Sequence, residues 1–130
     1  IDWMRQIIKE RPEVAGPMGM RALVAAWEMG LDKISRRAPH VVLAHGPKKL
    51  GVTRDSCIIA LTYLELAAYS MGLGACWAGY LGTAAAVFPP LIEALGIPGE
   101  HRVFGAMMLG YPRFKYQRIP RRKEPSVSWR

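Results

Sequence analysis

The stretch that decides the reading runs from Glu65 to Tyr80: Glu-Leu-Ala-Ala-Tyr-Ser-Met-Gly-Leu-Gly-Ala-Cys-Trp-Ala-Gly-Tyr. Its first half continues an apolar segment that begins at Cys57 and ends at Met71. The length and the Ala/Leu content of that segment predict a helix buried on most sides. Gly72 follows as a natural left-handed cap, because only glycine takes that conformation without a Cβ penalty. The second half, Ala75 to Tyr80, reads as a strand or extended turn. Small Ala78 and Gly79 between Trp77 and Tyr80 leave backbone amides open to a flat heterocycle. Gly72-Leu73-Gly74 is not a dinucleotide fingerprint, since it follows a helix rather than a strand.

Working outward, Asp55 precedes the long helix as a cap or first-turn acid. Upstream, His40 to His45 is a run of β-formers stopped by Gly46-Pro47, and reads as a buried strand. His40 and His45 read as core or edge histidines of that strand. Trp3, Met4, Ile7 and Ile8 are spaced for a short amphipathic helix over Asp2 to Glu10, ended by Pro12. Leu23, Val24, Trp27, Leu31 and Ile34 predict a second helix over Arg21 to Ile34. Downstream, a helix starting at Thr83 is kinked or restarted by Pro89-Pro90 and closed by Leu95-Gly96-Ile97-Pro98. Val103 to Leu109, small and apolar between Gly105 and Gly110, fits a central strand. Helices and strands alternate, which implies an α/β or α+β sandwich in a single domain.

The 130 residues carry 18 Lys and Arg against 10 Asp and Glu, a net charge of +8. Residues 113–130 hold seven basic side chains against Glu124 alone, a net +6, which leaves +2 for the rest. A basic tail on a balanced body points to an anion contacted at one place, either a phosphate or a nucleic acid. No apolar run reaches the about 18 residues needed to cross a bilayer. Cys57 and Cys76 sit in apolar runs and read as buried reduced thiols. Zinc needs about four ligands, which His40, His45 and His101 do not supply at any suitable spacing. Glu65, alone on the most apolar helix, calls for an ion pair rather than a catalytic role. The chain has no Walker sequence and no GxSxG, and none of its serines has a nucleophile context.

Together these residues resemble a family. Glu65-Leu66-Ala67-Ala68 and Met71 through Tyr80 look like the central helix and following strand of nitroreductase-type flavoproteins. Ala38-Pro39-His40-Val41-Val42-Leu43 upstream is similar as well, as are Leu95-Gly96-Ile97-Pro98 and Gly110-Tyr111-Pro112 downstream. Tyr116-Gln117-Arg118-Ile119-Pro120-Arg121-Arg122-Lys123 resembles the family's closing Arg-x-Pro-Pro-Arg-Lys segment, with Arg121 where the second proline often stands. The matches keep their order over residues 38–130.

The resemblance implies an α+β fold, a mixed β-sheet flanked by helices, in a homodimer holding FMN at the subunit interface. It implies a flavin reduced by NAD(P)H and reoxidised by nitroaromatics, quinones or a related small-molecule acceptor. By position, Trp77, Ala78, Gly79 and Tyr80 would lie along the isoalloxazine edge. Arg118, Arg121 and Arg122 would supply the guanidinium for its phosphate. No protein acid or base is then expected, since the cofactor carries the redox chemistry. Nor is a metal, a membrane or a nucleic-acid partner, and the expected location is cytoplasmic. The family's opening Arg-Ser-x-Arg segment is missing from residues 1–130, so they are expected to form the C-terminal part of one FMN-binding domain. Two readings compete with the enzyme. One is a basic nucleic-acid-binding module, and the other is an inactive dimeric scaffold on the flavin fold.

Overall fold

The structure is a computed structural model that describes residues 1–115, 117–118 and 121–130. Three short helices come first: α1 (Asp2–Glu10), α2 (Pro12–Ala15) and α3 (Met20–Glu28). The spacing in α1 places Trp3 and Met4 in the core, with Ile7 and Ile8 packed behind them. Pro12 ends that helix and also opens the next, where its missing N–H is no loss. Helix α3 stops at Glu28, short of the Ile34 expected from its apolar spacing. Gly30 takes φ 78°, its amide donates to Trp27, and that of Leu31 donates to Ala26 at 2.9 Å. This is a complete left-handed cap. The chain then turns on Asp32, whose carboxylate accepts the amides of Ile34, Ser35 and Arg37.

Strand β1 (His40–Pro47) and helix α4 (Thr53–Ser70) follow, then strand β2 (Gly74–Trp77). Helix α5 (Gly79–Val87), helix α6 (Pro89–Ala94) and strand β3 (His101–Gly110) complete the regular structure of the described residues. Gly72 caps α4 as expected, at φ 75°, with the Leu73 amide on the Ala68 carbonyl at 2.8 Å. Asp55 lies in the first turn of α4, while the cap position belongs to Val52. Pro89 restarts the helix as α6.

The sheet order is β1-β3-β2, with β3 in the centre. The architecture is α+β, and both strand pairs are antiparallel where a mixed sheet was expected. Alternation along β3 sends Gly105 toward Leu61 of α4 and Ala106 toward Gly82 of α5. Helix α4 therefore covers one face of the sheet and α5 the other. Helix α5 is shared between two cores. Ala84, with Tyr80 and Phe88 beside it, joins the α1–α3 cluster, while Leu81 packs beside Ala78 and Ala106 on the sheet.

Burial departs from expectation at two places. Helix α4 buries Thr53, Cys57, Leu61 and Ala68 on one side only. Ile59, Tyr63, Leu66 and Tyr69 form an exposed apolar stripe on the other. The segment is apolar all round because both its faces are apolar, and the sheet covers only one of them. Cys57 is buried, and burial pushes its thiol pKa up. Cys76 is exposed, because β2 is an edge strand.

Candidate functional site

At the end of β2 the chain crosses from the sheet into α5, and this crossing makes a cavity of about 590 Å³. That volume lies within the range of small-molecule sites, about 300–1,000 Å³. Trp77, Ala78 and Gly79 line it, together with Gly82 and Thr83 of α5, Arg54 of α4, and Arg102 to Ala106 of β3. Three of the residues expected at a flavin edge thus meet at one cavity. The side chain of the fourth, Tyr80, lines a separate cavity of about 580 Å³ against the α1–α3 helices. Its hydroxyl donates to the Met18 carbonyl.

The crossing is an extended turn only as far as Ala78, and Gly79 and Tyr80 already belong to α5. The Ala78 amide donates to the Ala106 carbonyl at 2.8 Å, and the Ala78 carbonyl accepts from Gly82 at 2.8 Å. Ala78 caps α5 without a side-chain acceptor. The first-turn amides of Gly79 and Tyr80 consequently have no partner among the described residues. A Cβ placed on Gly79 would meet nothing within 4 Å, so the approach to these donors is open. Trp77, 41% exposed, supplies a flat wall beside them. Unpaired amides, an open approach and an indole face suit the edge of a planar, electron-poor ring. The fit to a flavin is therefore good.

Arg118, Arg121 and Arg122 are exposed and are not among the residues that line either cavity. Tyr116, Ile119 and Pro120, which belong to the same tail resemblance, are outside the described residues. The arginines that do line the Trp77 cavity are Arg54 and Arg102, which sequence reading did not single out. No local pattern marks them, because Arg54 and Arg102 are remote in sequence and only the packing of α4 on the sheet brings them to one cavity. Glu65 is half-buried and forms no ion pair among the described residues, contrary to expectation. His45, exposed on β1, places its Nδ1 2.9 Å from that of His101 on β3. Thr53 Oγ1 is buried without a partner among the described residues. No group of three or more His, Cys, Asp or Glu among them could hold a metal ion. No described helix is long and apolar enough to cross a membrane.

The nitroreductase family model matches residues 2–111. A nitroreductase with bound FMN from Bacteroides fragilis NCTC 9343 is 26% identical, with a TM-score of 0.58, over 80% of this chain and 60% of that one. An FMN-dependent nitroreductase from Clostridium difficile R20291 is 22% identical, with a TM-score of 0.53, over 65% and 52%. An oxidized iodotyrosine deiodinase, bound to FMN and 3-iodo-L-tyrosine, is 24% identical with a TM-score of 0.57 over 82% and 57%. The last two show likeness of fold alone. The chain spans 52–60% of the length of these three structures. No curated protein matches it.

Proposed function

The chain belongs to the nitroreductase family, and from that premise we propose that residues 1–130 form part of one FMN-binding domain of an oxidoreductase. The observation that carries this reading is the unpartnered amide of Gly79, which lines a cavity walled by Trp77, with the unpartnered amide of Tyr80 next to it in the first turn of α5. FMN, when bound, would supply the redox chemistry, with NAD(P)H as the reductant and a nitroaromatic, a quinone or a related molecule as the acceptor. The chain's part is to bind and orient. Gly79 and Tyr80 donate to the ring edge, where the positive end of α5 favours developing negative charge. Trp77 and Ala78 bound the ring, and Ala78 acts through its shape because its own amide is already used. Tyr80 contributes its backbone, while its phenol holds α5 against the helical layer.

The basic tail supports the assignment of Arg118, Arg121 and Arg122 to the phosphate, for which guanidinium forks are suited. The exposed stripe on α4 supports a homodimer, since so large an apolar face on a small domain calls for a partner. The reading takes the protein as cytoplasmic.

The test is the visible spectrum of the purified protein after reconstitution with FMN. Flavin bands that bleach on addition of NAD(P)H are expected, with FMN affinity lowered in an Arg118→Ala, Arg122→Ala double variant. A protein that stays colourless and does not quench FMN fluorescence would overturn the reading.

A further inference from the structure

We propose that Arg54 and Arg102 make part of the Trp77 cavity an oxyanion subsite, so that the acceptor reduced there is an aromatic or quinonoid molecule bearing a carboxylate. The inference rests on the reading of this cavity as a flavin site and names the class of its second substrate.

The register of the sheet creates the arrangement. Gly46 of β1 pairs with Arg102 of β3. A Cβ on Gly46 would lie 2.5 Å from Thr53 Cγ2, so the first turn of α4 is pressed onto that rung of the ladder. Arg54, the next residue, thereby reaches the cavity that Arg102 lines. No Asp or Glu lines this cavity. Neither guanidinium forms an ion pair among the described residues, whose ion pairs use Arg5 and Arg11 instead. Two exposed arginines on one cavity with no acidic residue in its lining make the local potential positive, which favours a bound anion.

The rest of the wall sets the shape of the ligand. Gly79, Gly82 and Ala78 leave the wall shallow, and Trp77 and Phe104 supply aromatic surface. Paired N–H donors match a carboxylate bidentately, which adds orientation to attraction. The acceptor would then be held by its acid group at the arginines, with its reducible group turned toward Gly79.

The experiment compares 4-nitrobenzoate with 4-nitrobenzamide, which share a shape and differ in charge. Both are assayed on the wild type and on Arg54→Gln, Arg102→Gln and double variants. In the double variant kcat/KM should fall at least about tenfold more for the carboxylate than for the amide. The same preference should weaken in the wild type as salt is raised. Equal losses on the two probes, or no loss on either, would overturn the proposal. So would a large drop in FMN affinity, because it would place the arginines on the cofactor's phosphate. Calorimetry of 4-nitrobenzoate binding to the flavin-free protein separates failure of the subsite from failure of the flavin reading. Binding that the double variant lacks supports the subsite even in a colourless protein, and the absence of binding to the wild type overturns it.

Discussion

The backbone amide of Ala78 donates to the carbonyl oxygen of Ala106 at 2.8 Å. This bond pins the β2–α5 crossing to the central strand, and with the Gly82 bond it satisfies Ala78 at both its N–H and its C=O. The first donor left for a ligand is therefore one residue further on, at Gly79. The same bond seats α5 so closely on β3 that a Cβ on Gly82 would lie 3.4 Å from the Ala106 nitrogen.

Gly79→Pro isolates that donor. Gly79 is the first residue of α5, where proline is well tolerated because the N–H has no intrahelical role. The variant should melt within a few degrees of the wild type yet bind FMN about tenfold more weakly, the worth of one hydrogen bond in a sheltered site. Unchanged affinity in a fluorescence titration would remove Gly79 from the site.

Gly105 and Gly79 should respond oppositely to alanine. At Gly105 the new Cβ would lie 2.6 Å from Leu61 Cδ1 and 3.1 Å from Trp77 Cζ3, and Leu61 is only 2% exposed. The overpacked variant should lose about 1–3 kcal/mol in denaturant unfolding and shift its tryptophan emission. Gly79→Ala meets open space and should leave stability unchanged or raise it slightly.

Asp32 should make stability depend on pH. Its partial burial alone would raise the carboxyl pKa, but the amides of Arg37, Ser35, Ile34 and Arg36 together outweigh this and hold it below the ordinary value. A lowered folded pKa means stability that is present above the unfolded value, about 3.9, and lost as pH falls through the folded one. Asp32→Asn should therefore cost about 0.5–1 kcal/mol near neutral pH, solvent screening and the remaining amide oxygen limiting the loss, with the difference from wild type closing in acid. The turn it holds includes Arg36 and Arg37 at φ 52° and 56°. Arg37→Gly should recover part of the loss, since glycine adopts that region without strain.

The outer face of α4 should be a dimer contact. Ile59, Tyr63, Leu66 and Tyr69 are 56–80% exposed and follow helical spacing along one side. Tyr63→Glu with Leu66→Glu should convert a dimer into a folded monomer in sedimentation at micromolar concentration. A wild-type protein already monomeric there would sink the assignment.

Features set by neighbours along the chain were legible before folding. The cap at Gly72, a kink or restart at Pro89-Pro90 and the central position of β3 follow from spacing, ring constraints and missing Cβ atoms, whereas the choice of α+β over α/β came from the resemblance. Local reading failed where tertiary context took over. The apolar spacing through Ile34 outlasts its helix because Gly30 reverses the chain. Cys76 is exposed because its strand lies at the sheet edge, which the composition around it does not reveal.

By itself the sequence determined most of the helices and strands, though not α2 or the start of α5, and that Ala78 and Gly79 would leave backbone open between Trp77 and Tyr80. Only the tertiary structure decided which amides stay free, and it did so by bonding Ala78 to a carbonyl far along the chain. It alone decided that Tyr80 turns its ring away, and that Arg54 and Arg102 share a cavity. The physical reason is common to all three. Capping and periodicity act over a few residues, whereas a cavity is made by strand register and helix packing between segments that are remote in sequence.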